Sequence, residues 1–315
     1  MLQAWTLAGA TATGKSAAAQ WLAEQHGYSI LSADAMLVYR DMNIGTAKPT
    51  PADRKEVPYY GIDLARPSQP FSTGAWLQEA IRALSETVTS GPQATHMPTL
   101  IIAGGTGLYF KALTCGLTGS IANPEQRAYW QAQFDTGGIQ VLRQALVTRA
   151  PKVLANLSDP TNPRRLIRAL EQLDAGGNFP RQWHATPPPP IPILRLPREQ
   201  LHQRIYQRVE AMFAQGLIEE VRALRQTYPV WSPSAQQAIG YAEICALLDG
   251  TLTHNEAFER IVIRTRQLAK RQETWFRHQA QAVWIDIQST DSPEQVGRHV
   301  LEIWRRYGPT PLVQP

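Results

Sequence analysis

Apolar residues come in short blocks along this chain, and the spacing between blocks predicts its elements. Trp5, Leu7 and Ala8 lie in a compact run that reads as a strand over 4–8. An Ala-rich stretch from 15 to 26 reads as a helix, and Tyr28-Ser-Ile-Leu-Ser32 as a second strand. Helical periodicity resumes from Thr73 to about Thr89 and breaks at Gly91-Pro92. Thr99-Leu-Ile-Ile-Ala103 is a buried-type strand that runs into Gly104-Gly-Thr-Gly107 and a helix from Leu108. A strand, a Gly-rich turn and a helix, repeated, is the pattern of a parallel α/β sheet. Ligands in such sheets bind at the carboxyl ends of strands. That rule places residues 9–16, Ser32-Ala33-Asp34 and Gly104–Gly107 along one edge.

The texture changes between about 118 and 190. This stretch is helical, interrupted by Gly137-Gly138, Gly176-Gly177 and prolines, and ends in Thr186-Pro-Pro-Pro-Pro-Ile-Pro192, a stiff extended connector. It reads as an inserted all-helical subdomain on two hinges. The expected organisation is a core over 1–117, an insert over 118–190, and a return to the core over 191–315. The returning part begins with a strand carrying Ile193, Leu194 and Leu196. It reaches a further strand, Ala282-Val-Trp-Ile-Asp-Ile287, and a last helix over 293–306. The Pro-rich tail is expected to fray.

Residues 260–277 carry six Lys or Arg against one acid, Glu273. As a helix, this region puts Phe258, Ile261, Thr265, Leu268, Gln272 and Trp275 on one face and Arg260, Arg264 and Arg271 on another, with Arg266, Lys270 and Arg277 alongside. One face packs. The others are either a solvated basic surface or a grip for phosphates. Further basic clusters are Arg164, Arg165 and Arg168, and Arg195, Arg198, Arg204 and Arg208.

The 315-residue chain is 43% hydrophobic and 18% charged, an ordinary globular balance. Its net charge of +5 suits a polyanionic partner. Cys115 and Cys245 form no C-x-x-C pair, which argues against a cysteine zinc site or a disulfide framework. No signal peptide is legible, and no apolar run approaches the roughly 20 residues of a membrane helix. A cytoplasmic monomer that does not engage membranes is expected. DNA-reading signatures, Ser/His/Asp arrangements and HExxH are absent.

Gly9-Ala10-Thr11-Ala12-Thr13-Gly14-Lys15-Ser16 fits G-x-x-x-x-G-K-[ST], the phosphate-cradling P-loop, and lies between the first strand and the first helix. Backbone N–H groups and the helix N-terminus face the phosphates, Lys15 adds a point charge, and the Ser16 hydroxyl can ligand Mg²⁺. The fold class is therefore α/β, a P-loop NTPase-like parallel sheet flanked by helices with the all-helical insert. Asp34, taken alone, is a general base, an indirect Mg²⁺ ligand or a turn cap. Gly104–Gly107 serves either turn geometry or close approach of a ligand.

Together these segments resemble the tRNA dimethylallyltransferases. The resemblance runs through residues 9–16, Ser32–Pro49, Gly104–Leu113, Arg165–Glu171, Gln237–Tyr241 and Thr265–Arg277, in the right order across essentially the whole chain. It implies transfer of a dimethylallyl group from dimethylallyl diphosphate to the exocyclic amine of the adenine just 3′ of the anticodon, in tRNAs reading U-initial codons. The P-loop then holds a diphosphate leaving group, assisted by Mg²⁺ near Ser16. Asp34 is the base in the family motif, Thr11 orients Asp34 or the diphosphate, and Arg208 is a further diphosphate contact. The implied tRNA contacts are Asp34, Ala35, Met36, Leu37, Thr106, Arg127, Thr161, Asn162, Pro163, Arg164, Arg165, Gln237 and its neighbours to Ala242, Lys270 and Arg271.

The chain departs from the family pattern at Ala35 (commonly Ser), Leu37 (often Gln), Tyr59-Tyr60 (a His pair), Thr161-Asn162 (Asn-Asp) and Ala242 (often basic). Three other readings compete. A small-molecule kinase needs no basic C-terminal helix. A prenyltransferase of free adenine nucleotides needs neither the insert nor residues 265–277. A P-loop RNA-binding protein without catalysis needs neither Lys15 nor Asp34.

Overall fold

The computed structural model describes residues 2–90, 97–116, 123–157, 159–176 and 189–313. The Gly91-Pro92 break, Gly177, residues 117–118 and the start of the connector at 186–188 lie outside them. The chain divides into two compact units, one comprising 1–114 with 187–315, the other 115–186. The second unit thus begins at Cys115 and the first resumes at Pro187, slightly ahead of the expected 118 and 191.

The first unit opens with β1 (Gln3–Gly9), α1 (Lys15–His26), β2 (Ser29–Ala33), α2 (Pro51–Glu56), β3 (Tyr59–Tyr60), α3 (Thr73–Ser90), β4 (Leu100–Gly104) and α4 (Gly107–Cys115). The second unit holds α5 (Pro124–Arg149), α6 (Pro151–Ala155) and α7 (Pro163–Asp174). The first then resumes with β5 (Pro190–Arg195), α8 (Arg198–Ala214), α9 (Leu217–Thr227), α10 (Pro233–Gln236), α11 (Tyr241–Leu248), α12 (His254–Gln279), β6 (Gln281–Asp286), α13 (Pro293–Tyr307) and β7 (Thr310–Pro311).

Six strands form a parallel sheet in the order β3-β2-β4-β1-β5-β6, and β7 adds antiparallel to β1. The path from β1 to β2 skips a position that β4 later fills, and the chain turns back at the edge strand β3. Right-handed crossovers then place α1 and α3 on opposite faces. β4, Leu-Ile-Ile-Ala-Gly, is buried at every position, as a central strand covered on both sides requires. Trp5 stacks on Trp304 of α13 at 4.9 Å, which fastens the last helix to the first strand.

Two expectations need correction. The connector does not run to 192, because the extended segment Pro190–Pro192 is already the start of β5. Prolines are tolerated there since β1–β5 pairing is confined to Ala8–Ile193 and Gly9–Leu194, above them. Lower on β1 the Trp304 indole N–H donates to the Thr6 carbonyl at 2.9 Å. The tail does not fray before Val313: Ala4 pairs with Thr310, Thr6 and Thr310 share a hydroxyl hydrogen bond of 2.7 Å, and the Val313 N–H donates to the Leu113 carbonyl. Gly137-Gly138 interrupts the helical run as expected: Gly138 takes a non-helical φ of 65° and ψ of −165°, and α5 is two helical stretches that meet at this kink.

In the second unit, α5 and α7 bury Trp130, Leu142, Leu146, Leu166, Ile167 and Leu170 in a core of their own. The Trp130 indole donates to Asp174 (2.6 Å), and Glu171, almost wholly buried, lies 2.9 Å from both Arg127 Nε and Arg168 Nη1.

Candidate active site

The P-loop bridges β1 and α1. Gly14 takes φ 87° and Ala12 φ 65°, both left-handed, the backbone alternation that builds an anion-binding concavity from main-chain amides. The buried Thr13 hydroxyl donates to the Ala10 carbonyl (2.9 Å), and Lys15 Nζ donates to the same oxygen (3.1 Å). Ser16 is exposed at the first turn of α1. Burial lowers Lys15 from the ordinary lysine value to about 8. Asp34 pulls it upward and Arg208 pushes it further down.

Asp34 follows β2. Its Oδ1 accepts the Met36 N–H at 2.9 Å, the turn-capping bond foreseen as one of its readings. Asp34 also favours the charged forms of both Lys15 and Arg208, so these cations share its field. Arg208, half-buried on α8, is held below the usual arginine range by burial. It donates to the Thr46 carbonyl at 3.3 Å. P-loop lysine, carboxylate and second cation therefore converge, as three segments 15, 34 and 208 on neighbouring elements.

The turn after β4 completes the edge. The Thr106 hydroxyl accepts the Ala35 N–H (3.1 Å), and the Thr106 N–H donates to the Ala33 carbonyl (3.0 Å). Close approach decides the glycines here. A Cβ on Gly104 would stand 2.1 Å from the Ala33 carbonyl oxygen, and one on Gly107 would stand 2.0 Å from the Trp275 ring. Tyr109 stacks on Trp76 at 4.1 Å. Burial, with Asp34 adding, raises its phenol above the ordinary value, so it stays protonated.

One residue that sequence reasoning placed on a packing face joins these turns. Gln272 of α12 accepts the Thr11 N–H through Oε1 (2.8 Å) and donates from Nε2 to the Gly105 carbonyl (3.1 Å). It spans the P-loop and the β4 turn like a staple. The signal was available in its occurrence within Thr265–Arg277, but wheel position alone could not separate it from core. Arg264 also has other work than phosphate binding. It is ion-paired with buried Glu243 and donates to the Gln237 carbonyl at 3.0 Å.

Lys270 and Arg271 are exposed on α12. An open groove of about 780 Å³ lies between α8 and α12 at the ends of β5 and β6. Arg198, Arg266, Lys270 and Arg277 line it, and the Arg266 Nε is buried there without a hydrogen-bond partner. Gln237 is exposed, and Met36 and Leu37 are half-buried beside Asp34. Arg127, Thr161, Asn162, Pro163, Arg164 and Arg165 belong to the second unit. Asn162 caps α7 by accepting the Arg164 N–H (3.1 Å), Pro163 opens the helix, and Arg164 and Arg165 are exposed in its first turn. Tyr59, at a departure from the family pattern, donates its hydroxyl to Gln20 (2.6 Å).

Among the described residues no group of three or more His, Cys, Asp or Glu could hold a metal ion. Magnesium asks for less, because it keeps several waters and binds through one or two protein oxygens plus substrate phosphates. The Ser16 hydroxyl, exposed at the first turn of α1, fits that requirement. No helix among the described residues is long and apolar enough to cross a membrane.

The family model "IPP transferase" matches residues 37–279. A tRNA dimethylallyltransferase from Synechococcus elongatus is 38% identical over 291 residues, 92% of either chain. The tRNA isopentenylpyrophosphate transferase of Bacillus halodurans superposes with a TM-score of 0.68 at 32% identity, covering 98% of this chain and 97% of that one. A eukaryotic dimethylallyltransferase solved acting on tRNA shares the fold, with a TM-score of 0.75 at 22% identity, covering 100% of this chain and 81% of that one. A matching family model over most of the length, and relatives this similar across both units, mean that the chain belongs to the IPP transferase family.

Proposed function

We propose that this enzyme transfers a dimethylallyl group from dimethylallyl diphosphate to the exocyclic amine of the adenine 3′-adjacent to the anticodon, in tRNAs reading U-initial codons. The observation that carries this reading is the placement of a phosphate cradle after β1 and of the Asp34 carboxylate after β2, at the same carboxyl edge of one parallel sheet.

The chemistry follows from those groups. As the allylic carbon–oxygen bond breaks, negative charge develops on the diphosphate. P-loop amides from Gly9, Ala10, Ala12, Thr13 and Gly14, with Lys15 and Arg208, stabilise it. Mg²⁺, held by Ser16 and the diphosphate, supplies additional charge at the leaving group when bound. The adenine nitrogen forms the new carbon–nitrogen bond and gives its proton to the Asp34 carboxylate. Thr11 keeps the loop in register through its amide bond to Gln272.

The target base leaves its loop to reach Asp34, which costs less than extrusion from a duplex. Ala35, Met36, Leu37, Thr106 and Gln237 contact it or its neighbours. Arg127 and Thr161–Arg165 of the second unit grip the backbone, as do Lys270 and Arg271 on α12. The protein acts as a cytoplasmic monomer. Prenyl transfer to free adenine nucleotides is the less favoured reading, because the named relatives that match across the second unit are tRNA enzymes.

The test combines dimethylallyl diphosphate, Mg²⁺ and unmodified tRNA, followed by nucleoside mass spectrometry. Asp34→Ala should lower turnover about 10²- to 10⁴-fold, the usual span for a general base. Wild-type turnover in that variant would remove Asp34 from the role.

A further inference from the structure

Glu220, in the first turn of α9, gathers four donors without belonging to any segment assigned above. Its Oε2 accepts the N–H groups of Asn43 (3.1 Å) and Ile44 (2.8 Å), and its Oε1 accepts those of Gly45 (3.4 Å) and the Tyr241 hydroxyl (2.6 Å). Three successive backbone amides form a concavity suited to an anion, and the protein fills it with its own carboxylate. Tyr241 has no solvent exposure. Its ring occupies the space beside Gly45, where a Cβ would come within 2.4 Å. Burial and the adjacent Glu220 keep its phenol protonated and therefore a donor.

The turn held this way is tied internally as well. The Thr46 hydroxyl donates to the Met42 carbonyl (2.6 Å), and the Lys48 N–H donates to the Asn43 carbonyl (3.0 Å). Its outward-facing product is the Thr46 carbonyl, which accepts Arg208. Arg208 shares the Asp34 field with Lys15. A continuous set of contacts thus runs from Tyr241 and Glu220, through residues 43–46, to the second cation of the candidate active site.

We propose that Glu220 and Tyr241 are positioning residues for the diphosphate: they fix the 43–46 turn whose Thr46 carbonyl seats the Arg208 guanidinium. This rests on the reading of Arg208 as a diphosphate contact. Neither residue touches the reacting atoms. Displacing a charged group by about an ångström is enough to cost on the order of 10²-fold in rate.

The experiment compares Glu220→Gln, Tyr241→Phe, Arg208→Ala and the two combinations with Arg208→Ala, in the full chain. Transfer kinetics, calorimetric Kd for dimethylallyl diphosphate and thermal midpoint are measured on each. Tyr241→Phe keeps the ring against Gly45 and removes only the hydroxyl, so it reports even if Glu220→Gln fails to fold. The expected result is a kcat about 10- to 100-fold lower and a weaker Kd for dimethylallyl diphosphate, with KM for tRNA unchanged. In the Arg208→Ala background the same changes should have no further effect, which a general loss of stability would not reproduce. Full activity in both single variants, or losses that multiply with Arg208→Ala, would overturn the proposal. If the wild type binds dimethylallyl diphosphate but does not modify tRNA, the tRNA reading fails. The positioning role is then decided by the same non-additivity in Kd.

Discussion

At the scale of single residues, Lys15 has the most consequential environment. Burial holds it near 8, so in the free protein it loses its charge as pH rises through that value. The sign for stability follows. The unfolded chain, with the ordinary pKa of 10.5, binds more protons between about 8 and 10.5, so the strain of the buried charge is greatest below pH 8 and is relieved as pH rises. Diphosphate binding reverses this by stabilising the ammonium. Calorimetry near pH 8, in buffers of differing ionisation enthalpy, should therefore show uptake of about half a proton on binding dimethylallyl diphosphate. Lys15→Met should abolish that uptake, and buffer-independent heats in the wild type would contradict it. Lys15 and Asp34 were legible because their segments carry motifs with stated geometry. Gln272 and Glu220 were not. Gln272 reaches Thr11 261 residues away and Glu220 reaches the Gly45 amide 175 residues away, and local periodicity carries no information about such pairings.

At the scale of elements, the apolar runs located β1, β2, β4 and β6 within a residue or two; β4, buried at every position, writes itself as an uninterrupted apolar block, and the others as shorter runs of the same kind. β3 and β7, two residues each, write no such block. β5 was obscured at its start by Pro190 and Pro192, which are acceptable only because β1 does not pair there. The Trp304 indole donates to the Thr6 carbonyl. Trp304→Phe removes that donor while keeping an aromatic ring against Trp5, so it should destabilise by about 1–3 kcal/mol, the cost of leaving a buried acceptor unsatisfied. Urea denaturation checks this, and an unchanged midpoint would show that the indole bond contributes nothing. Gly107 offers a second element-level test. Gly107→Ala should force Trp275 and α12 away from the β4 turn, strain the Gln272 staple and lower turnover. An alanine variant with native kcat would show that the staple tolerates movement.

At the scale of the whole molecule, a chain of net charge +5 exposes cations on two separate units. Arg164 and Arg165 occupy the first turn of α7, and Lys270 and Arg271 lie on α12. If these four contact RNA phosphates, each replacement by Ala should weaken tRNA binding and reduce the slope of log K against log salt by about 1, with kcat at saturating tRNA preserved. Filter binding at several salt concentrations gives the answer, and parallel salt lines for variant and wild type would mark the residue as a solvated charge. The insert was legible as a change of texture, and its expected contacts followed from family resemblance. Composition alone could not tell an RNA grip from a soluble surface, since both look like exposed Lys and Arg.

The acceptor defines what this enzyme does. The most direct measurement offers the purified protein dimethylallyl diphosphate with Mg²⁺ and, in parallel, unmodified tRNA whose anticodon ends in adenine, AMP or ADP, and ATP with small hydroxyl acceptors. Products are read by mass spectrometry after nuclease digestion. Dimethylallyl-adenosine from the position 3′ of the anticodon, with release of diphosphate and no product from the other arms, is the predicted result. Prenylated AMP or ADP in place of modified tRNA, or tRNA bound without product, would contradict it.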